Sequence, residues 1–137
     1  IHVRTMATAK YQKCIVRSPR ILDEIAYHKP APKVIRYHLM GEELVSGADV
    51  FVSYAQLKDF SPDLVSEYVS THTHDVSQVY VLLGETGSLE VEVTLEEEVY
   101  VVASPGAVFI PRNVKHKVKY LKGTGKILVV LPKARYP

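Results

Sequence analysis

The chain has 137 residues, 47% of them hydrophobic, and a formal net charge of +2. That length suits one domain around one core, and that apolar fraction excludes wholesale disorder. So small a charge, with no basic cluster interleaved with aromatics, argues against a nucleic-acid partner.

The first stretch is basic: Arg4, Lys10, Lys13, Arg17 and Arg20 all precede the first acid, Asp23. We read residues 1–32 as a solvated arm rather than a transit segment, and residues 33–137 as a β-barrel domain. The first residue is Ile, so the natural start is not legible from the sequence. Cys14 is the single cysteine. No intramolecular disulfide can form, which fits a reducing cytoplasm, and Cys14 reads as a small core residue. Ile21–Tyr27 carries a modest helical pattern. The rest reads as strands near Lys33–Leu39, Val50–Leu57, Ser66–Thr71, Gln78–Leu83, Ser88–Thr94, Val99–Ala103, Ala107–Ile110, Lys115–Leu121 and Lys126–Leu131. Turn signals separate them, among them Gly41, Ser61-Pro62-Asp63, Gly84 to Gly87, Ser104-Pro105-Gly106, Pro111 to Asn113 and Gly123-Thr124-Gly125. Short strands at this spacing predict an antiparallel all-β sandwich or barrel. No apolar run approaches membrane-spanning length; Val79–Leu83 and Ile127–Leu131 read as buried strands.

Alternation assigns faces. Lys115, Lys117 and Lys119 share one parity and must meet water, which turns His116, Val118 and Tyr120 inward. His72 and His74 are one residue apart, so a strand would project both from one face. Gln78, Tyr80 and Leu82 share a parity on the next strand. Neutral imidazoles from His72, His74 and His116 form a donor set for a divalent metal (Fe, Mn, Ni, Zn or Cu), with Gln78 as a fourth ligand or a partner behind the first three; the alternative, less favoured because it wastes buried polar capacity, is a barrel without metal whose interior histidines hydrogen-bond to each other and to Gln78.

These residues resemble the cupin superfamily, small barrels marked by two motifs. The first family motif holds two histidines one residue apart and then an acid; His72, His74 and Gln78 occupy those slots. The second holds a proline and then a histidine, matched by Pro111 and His116, with Pro105 to Ile110 resembling the approach to them. The resemblance covers Val65 to Leu131. Departures are clear: Ser66 stands at a glycine slot, Gly84 and Gly106 are shifted, Asn113 replaces the turn glycine and Tyr120 the final asparagine. Gln78 at the acid slot matters most, because an amide oxygen is a neutral and weaker ligand than a carboxylate. The resemblance implies a double-stranded β-helix, that is, an antiparallel jelly-roll barrel. It also implies a metal-dependent enzyme, most often of dioxygenase type, acting on a small molecule.

A shell of neutral ligands leaves the metal's charge uncompensated, so the expected ligand is a small anionic or chelating molecule. Alternatives are a metal-dependent isomerase or lyase of a sugar or hydroxy acid, and a non-catalytic small-molecule-binding module. Tyr80 is read either as a proton or hydrogen-bond donor to substrate or as a core residue. Tyr54 and Gln56 are read as pocket lining or plain sheet surface, the latter favoured. Arg36 and His38 are same-face neighbours; Arg36 is read either as recognising a substrate carboxylate or as a surface residue, the latter favoured. Arg112 is expected to be solvated, and Glu96-Glu97-Glu98 to form a hairpin tip. A homodimer is expected, with Lys10–Arg17 adding a strand to its partner's sheet.

Overall fold

The computed structural model describes residues 9–21, 34–61 and 67–133, with the side chains of residues 67–70 left aside. The elements in chain order are β1 (Arg20–Ile21), β2 (Val34–Met40), β3 (Phe51–Phe60), β4 (Glu67–His72), β5 (Gln78–Leu83), β6 (Leu89–Leu95), β7 (Glu98–Ala103), β8 (Gly106–Ile110) and β9 (His116–Leu131). All pairings among them are antiparallel. The result is the expected all-β jelly roll. Of the anticipated helix over Ile21–Tyr27, Ile21 lies in β1 and the remainder falls outside the described residues.

β9 organises the molecule. Its first half pairs with β4 and β6, and its second half with β3 and β5. One layer therefore runs β1-β2-β3-β9-β5-β8, and the facing layer runs β4-β9-β6-β7. The anticipated turn at Gly123-Thr124-Gly125 is not a turn; the chain passes through it as one strand of 16 residues. Gly123 is there for a different reason. Its φ is +109°, and a Cβ on it would collide with the carbonyl oxygen of Ser88. The glycines let β9 press against its neighbours while it changes layers.

The core lies between the layers and includes Leu57, Leu82, Leu89, Val91, Val93, Val118 and Ile127. β5 and β6 show the cause: alternate residues Tyr80 and Leu82, and Leu89, Val91 and Val93, are buried while their neighbours are not. Lys117 and Lys119 face outward as charge demands, opposite Thr94 and Glu92 of β6.

Two expectations, for Cys14 and for the faces of β2, need correction. Cys14 is exposed rather than in the core. It belongs to a 3-10 turn, Gln12–Cys14, that contains no buried residue and is not extended. Among the described residues of the arm, Arg20–Ile21 is a strand that pairs with β2 of the same chain, Arg20 opposite His38. Arg36 and His38 are buried, at 8% and 1% exposure, not at the surface. In β2 the apolar Ile35 and Tyr37 take the outward parity, so the hydrophobic pattern pointed the wrong way. No helix among the described residues is long and apolar enough to cross a membrane.

Candidate metal centre

Pairing places His72 and His116 directly opposite each other on β4 and β9. His74 follows in the loop between β4 and β5, two residues on. Its carbonyl accepts the backbone N–H of Asn113 at 2.8 Å. Asn113 sits at φ +64°, the left-handed region that asparagine tolerates better than most residues. That bond fastens the His74 loop to the turn that launches β9. All three histidines are buried.

One ligand atom from each of His72, His74 and His116 lies within 4.8 Å of the others. The ring centroids are 4.3 Å apart for His72 and His116, 4.7 Å for His72 and His74, and 5.3 Å for His74 and His116. The Nε2 atoms of His72 and His74 are 3.1 Å apart. Two nitrogens bound to one ion at about 2.0–2.1 Å, at tetrahedral or octahedral angles, stand roughly 3.0–3.4 Å apart, so the spacing fits a shared cation.

The ring orientations fit too. His116 Nδ1–H donates to the Val114 carbonyl at 2.9 Å, because that oxygen can only accept. The proton is thereby held on Nδ1, and the Nε2 lone pair turns to the cluster, the arrangement a metal-binding histidine adopts. Gln78 Nε2 donates to that same His116 Nε2 at 3.0 Å. A cation there would replace this donor, and an amide can rotate to offer its oxygen instead. Gln78 Oε1 is buried without a hydrogen-bond partner. A buried acceptor beside three imidazole nitrogens is a donor set that a cation would fit.

Electrostatics favour the neutral form of His74 and His116. His74 is lowered from 6.5 to about 4, chiefly by burial, then by His72, His116 and Lys133, with Asp75 opposing. His116 is lowered by burial, partly offset by its bond to Val114. At neutral pH both offer lone pairs rather than charge. At the rim, Lys133 Nζ pairs with Asp75 at 2.7 Å.

Gln78 and Tyr80 project inward two residues apart on β5, at 1% and 2% exposure. Burial raises the Tyr80 hydroxyl far above the ordinary phenol value, with Tyr120 adding and Gln78 and Arg36 opposing. The hydroxyl sits close enough to Gln78 to feel it, yet makes no hydrogen bond of normal length. Deeper in, Arg36 donates from Nη2 to the Tyr120 hydroxyl at 3.4 Å. Arg36 and His38 are the interior residues that sequence reasoning misplaced; their shared parity with the inward Val34 was the available signal. Tyr54 and Gln56 point outward and line no interior pocket; Tyr54 stacks on Tyr37 at 5.0 Å. Arg112 is exposed, as expected, and Glu96 and Glu97 form the tip between β6 and β7.

The described architecture is a jelly-roll barrel with a histidine cluster between its layers. No family model matches the chain, and no curated protein matches it in sequence. Its shape is matched among solved structures. A cupin-2 domain from Rhodospirillum rubrum aligns with TM-score 0.60 at 15% identity, over 87% of this chain and 72% of that one. The polyketide cyclase RemF from Streptomyces resistomycificus aligns with TM-score 0.59 at 18% identity, over 100% and 82%. A predicted oxalate decarboxylase from Thermotoga maritima aligns with TM-score 0.58 at 16% identity, over 83% and 90%. The chain has the cupin superfamily fold, and its three buried histidines are placed where they could hold a metal ion.

Proposed function

We propose that this chain is a small metal-dependent cupin enzyme, of oxygenase type, acting on a small anionic or chelating organic molecule. The observation that carries the reading is the convergence of three buried imidazoles, with the Gln78 amide hydrogen-bonded to one of them. His72, His74 and His116 would hold the ion, with Gln78 as a fourth, neutral donor. When bound, the ion supplies Lewis acidity and, if redox-active, electron exchange with dioxygen and substrate.

The chain's own residues account for the rest. Among the described residues the buried polar set contains Arg36 and histidines but no carboxylate. The interior is therefore electropositive, and an anionic substrate is the species it best compensates. Tyr80 stays protonated and can donate its hydroxyl proton to a substrate oxygen, but it is too weak an acid to serve as an anionic base. Gln78 orients His116 and can trade its amide faces. Ile110, opposite Gln78 on β8, and Leu95, opposite His116 on β6, wall the site with apolar surface that excludes water.

Untagged protein assayed for metal, then for oxygen uptake with hydroxy acids, keto acids and catechols, tests the proposal. Oxygen consumption matched to substrate loss, and lost in His116→Ala, is the expected result. Turnover without oxygen demand would replace the oxygenase by an isomerase or lyase. Tight binding without turnover would leave a binding module.

A further inference from the structure

The inner face of the β1-β2-β3-β9-β5-β8 layer holds polar side chains that the metal centre leaves unused. Cross-strand register aligns His38, Ser53 and Tyr80 in one inward row, and Arg36, Ala55 and Leu82 in the next. The residues of β3 opposite His38 and Arg36 are therefore the small ones, Ser53 and Ala55, and all six side chains are buried. Small residues there leave a lane across β3. Along it Arg36 spans to the facing layer, where its Nη2 donates to the Tyr120 hydroxyl at 3.4 Å.

This guanidinium shares the interior with the metal centre, at a distance set by the strands. Inward residues on β9 run His116, Val118, Tyr120, so Tyr120 stands two inward positions beyond the ligating histidine. Four residues of strand are about 13 Å. Tyr80 lies between the two ends, one inward position beyond Gln78 on β5. Its buried hydroxyl has no partner of normal length, and the charge of Arg36 and the ring of Tyr120 both act on it. A buried hydroxyl in that position is a donor aimed at something polar that the chain itself does not supply.

We propose that Arg36 and Tyr120 form a second anion subsite, which deepens the proposed function and rests on it only for the metal-bound end. The substrate then carries a carboxylate distal to the group that meets the metal. The planar fork of a guanidinium matches the two oxygens of a carboxylate, and the Tyr120 hydroxyl stands beside that fork to add a further donor. The separation selects a length. A metal-bound oxygen lies about 2 Å from its ion and a carboxylate oxygen about 3 Å from a hydroxyl donor, which together take up about 5 of the 13 Å. Roughly 8 Å remains between the two anionic ends, about six bonds of an extended carbon chain at about 1.25 Å each. That is an oxo acid of about six carbons ending in a second carboxylate. Tyr80 meets its middle, and Leu82 and Ile127 offer apolar surface to its methylenes.

Calorimetric titration of the full chain loaded with Zn²⁺ tests it, using 2-oxoadipate and 2-oxohexanoate, which differ only in the distal carboxylate. The wild type should hold 2-oxoadipate at least about 10-fold more tightly, while oxaloacetate, too short to span, should gain less than about 2-fold over 2-oxobutyrate. Arg36→Gln should bring the two longer acids within about 2-fold of each other and leave the affinity for 2-oxohexanoate, the zinc content and the circular dichroism at wild-type values. Arg36→Lys should restore part of the preference. Tyr120→Phe, which removes a hydroxyl and no charge, should cut it about 3-fold, and it serves if Arg36→Gln does not fold. Adipate against hexanoate on zinc-free protein reads the subsite without the metal, and there too a preference for adipate should be lost in Arg36→Gln. Equal affinity of the wild type for the two longer acids, binding of neither, an equal gain at four carbons, or a preference that survives Arg36→Gln would overturn the proposal. Oxygen uptake enters none of these measurements, so the subsite can stand if the oxygenase reading fails. Zinc bound without a distal preference would remove the subsite and spare the metal centre.

Discussion

Tyr80→Phe separates a structural tyrosine from a working one. The hydroxyl is buried and has no hydrogen-bond partner of normal length among the described residues. A buried unsatisfied hydroxyl costs on the order of 1–3 kcal/mol, and deleting it removes that cost while opening only a small void. We expect metal-free Tyr80→Phe to be as stable as the wild type or more stable by about 1 kcal/mol. For a chain of 137 residues, an unfolding entropy of about 2.1 cal/mol/K per residue converts this to a rise of about 3 °C in Tm. Differential scanning calorimetry at pH 7.5 reads it, with metal content as a control. Turnover should meanwhile fall by roughly 10²–10⁴-fold, the usual loss on removing a positioned proton donor. A loss of 1–2 kcal/mol with turnover unchanged would show that the hydroxyl serves packing, and the reasoning about Tyr80 would be wrong.

Acid should destabilise the metal-free chain through His74. Its folded pKa, about 4, lies below the ordinary 6.5. The unfolded chain therefore takes up the proton first, and stability falls between about pH 6.5 and pH 4 and levels below. At about 1.36 kcal/mol per pKa unit the ceiling is near 3 kcal/mol, and partial solvation of the rim brings the expectation to about 2 kcal/mol. Urea midpoints across that window for wild type and His74→Gln should converge as pH falls; parallel curves would refute the assignment. Gly123→Ala should cost several kcal/mol, because its Cβ would strike the Ser88 backbone at a positive φ. Chemical denaturation reads this directly, and a change below 1 kcal/mol would mean that β9 crosses between layers by some other means.

Much of the site was legible because its signals are local. The spacing of His72 and His74, the alternation from Lys115 to Tyr120 and the short apolar segments gave the barrel, the inward His116 and the place of Gln78. Asn113 was recognised as a left-handed turn residue, and the structure places it there at φ +64°. What escaped depended on long-range contact. Gly123 and Gly125 looked like a turn, but they serve the close approach of β9 to Ser88 and Leu83. Arg36 is buried while its neighbours Ile35 and Tyr37, although apolar, are not. Those neighbours lie on the outward face, where an uncovered apolar surface reverses the usual inference from parity. The same feature made β5 and the second half of β9 look buried on both sides. One cause, an apolar outer face, accounts for both misreadings.

The most direct measurement is metal stoichiometry by plasma mass spectrometry on untagged protein, reconstituted in turn with Fe²⁺, Mn²⁺, Ni²⁺, Zn²⁺ and Cu²⁺ and then dialysed. The account predicts about one ion per chain for at least one of these metals in the wild type, and almost none in His74→Ala or His116→Ala. Full occupancy in either variant, or an empty wild type with every metal, would contradict it.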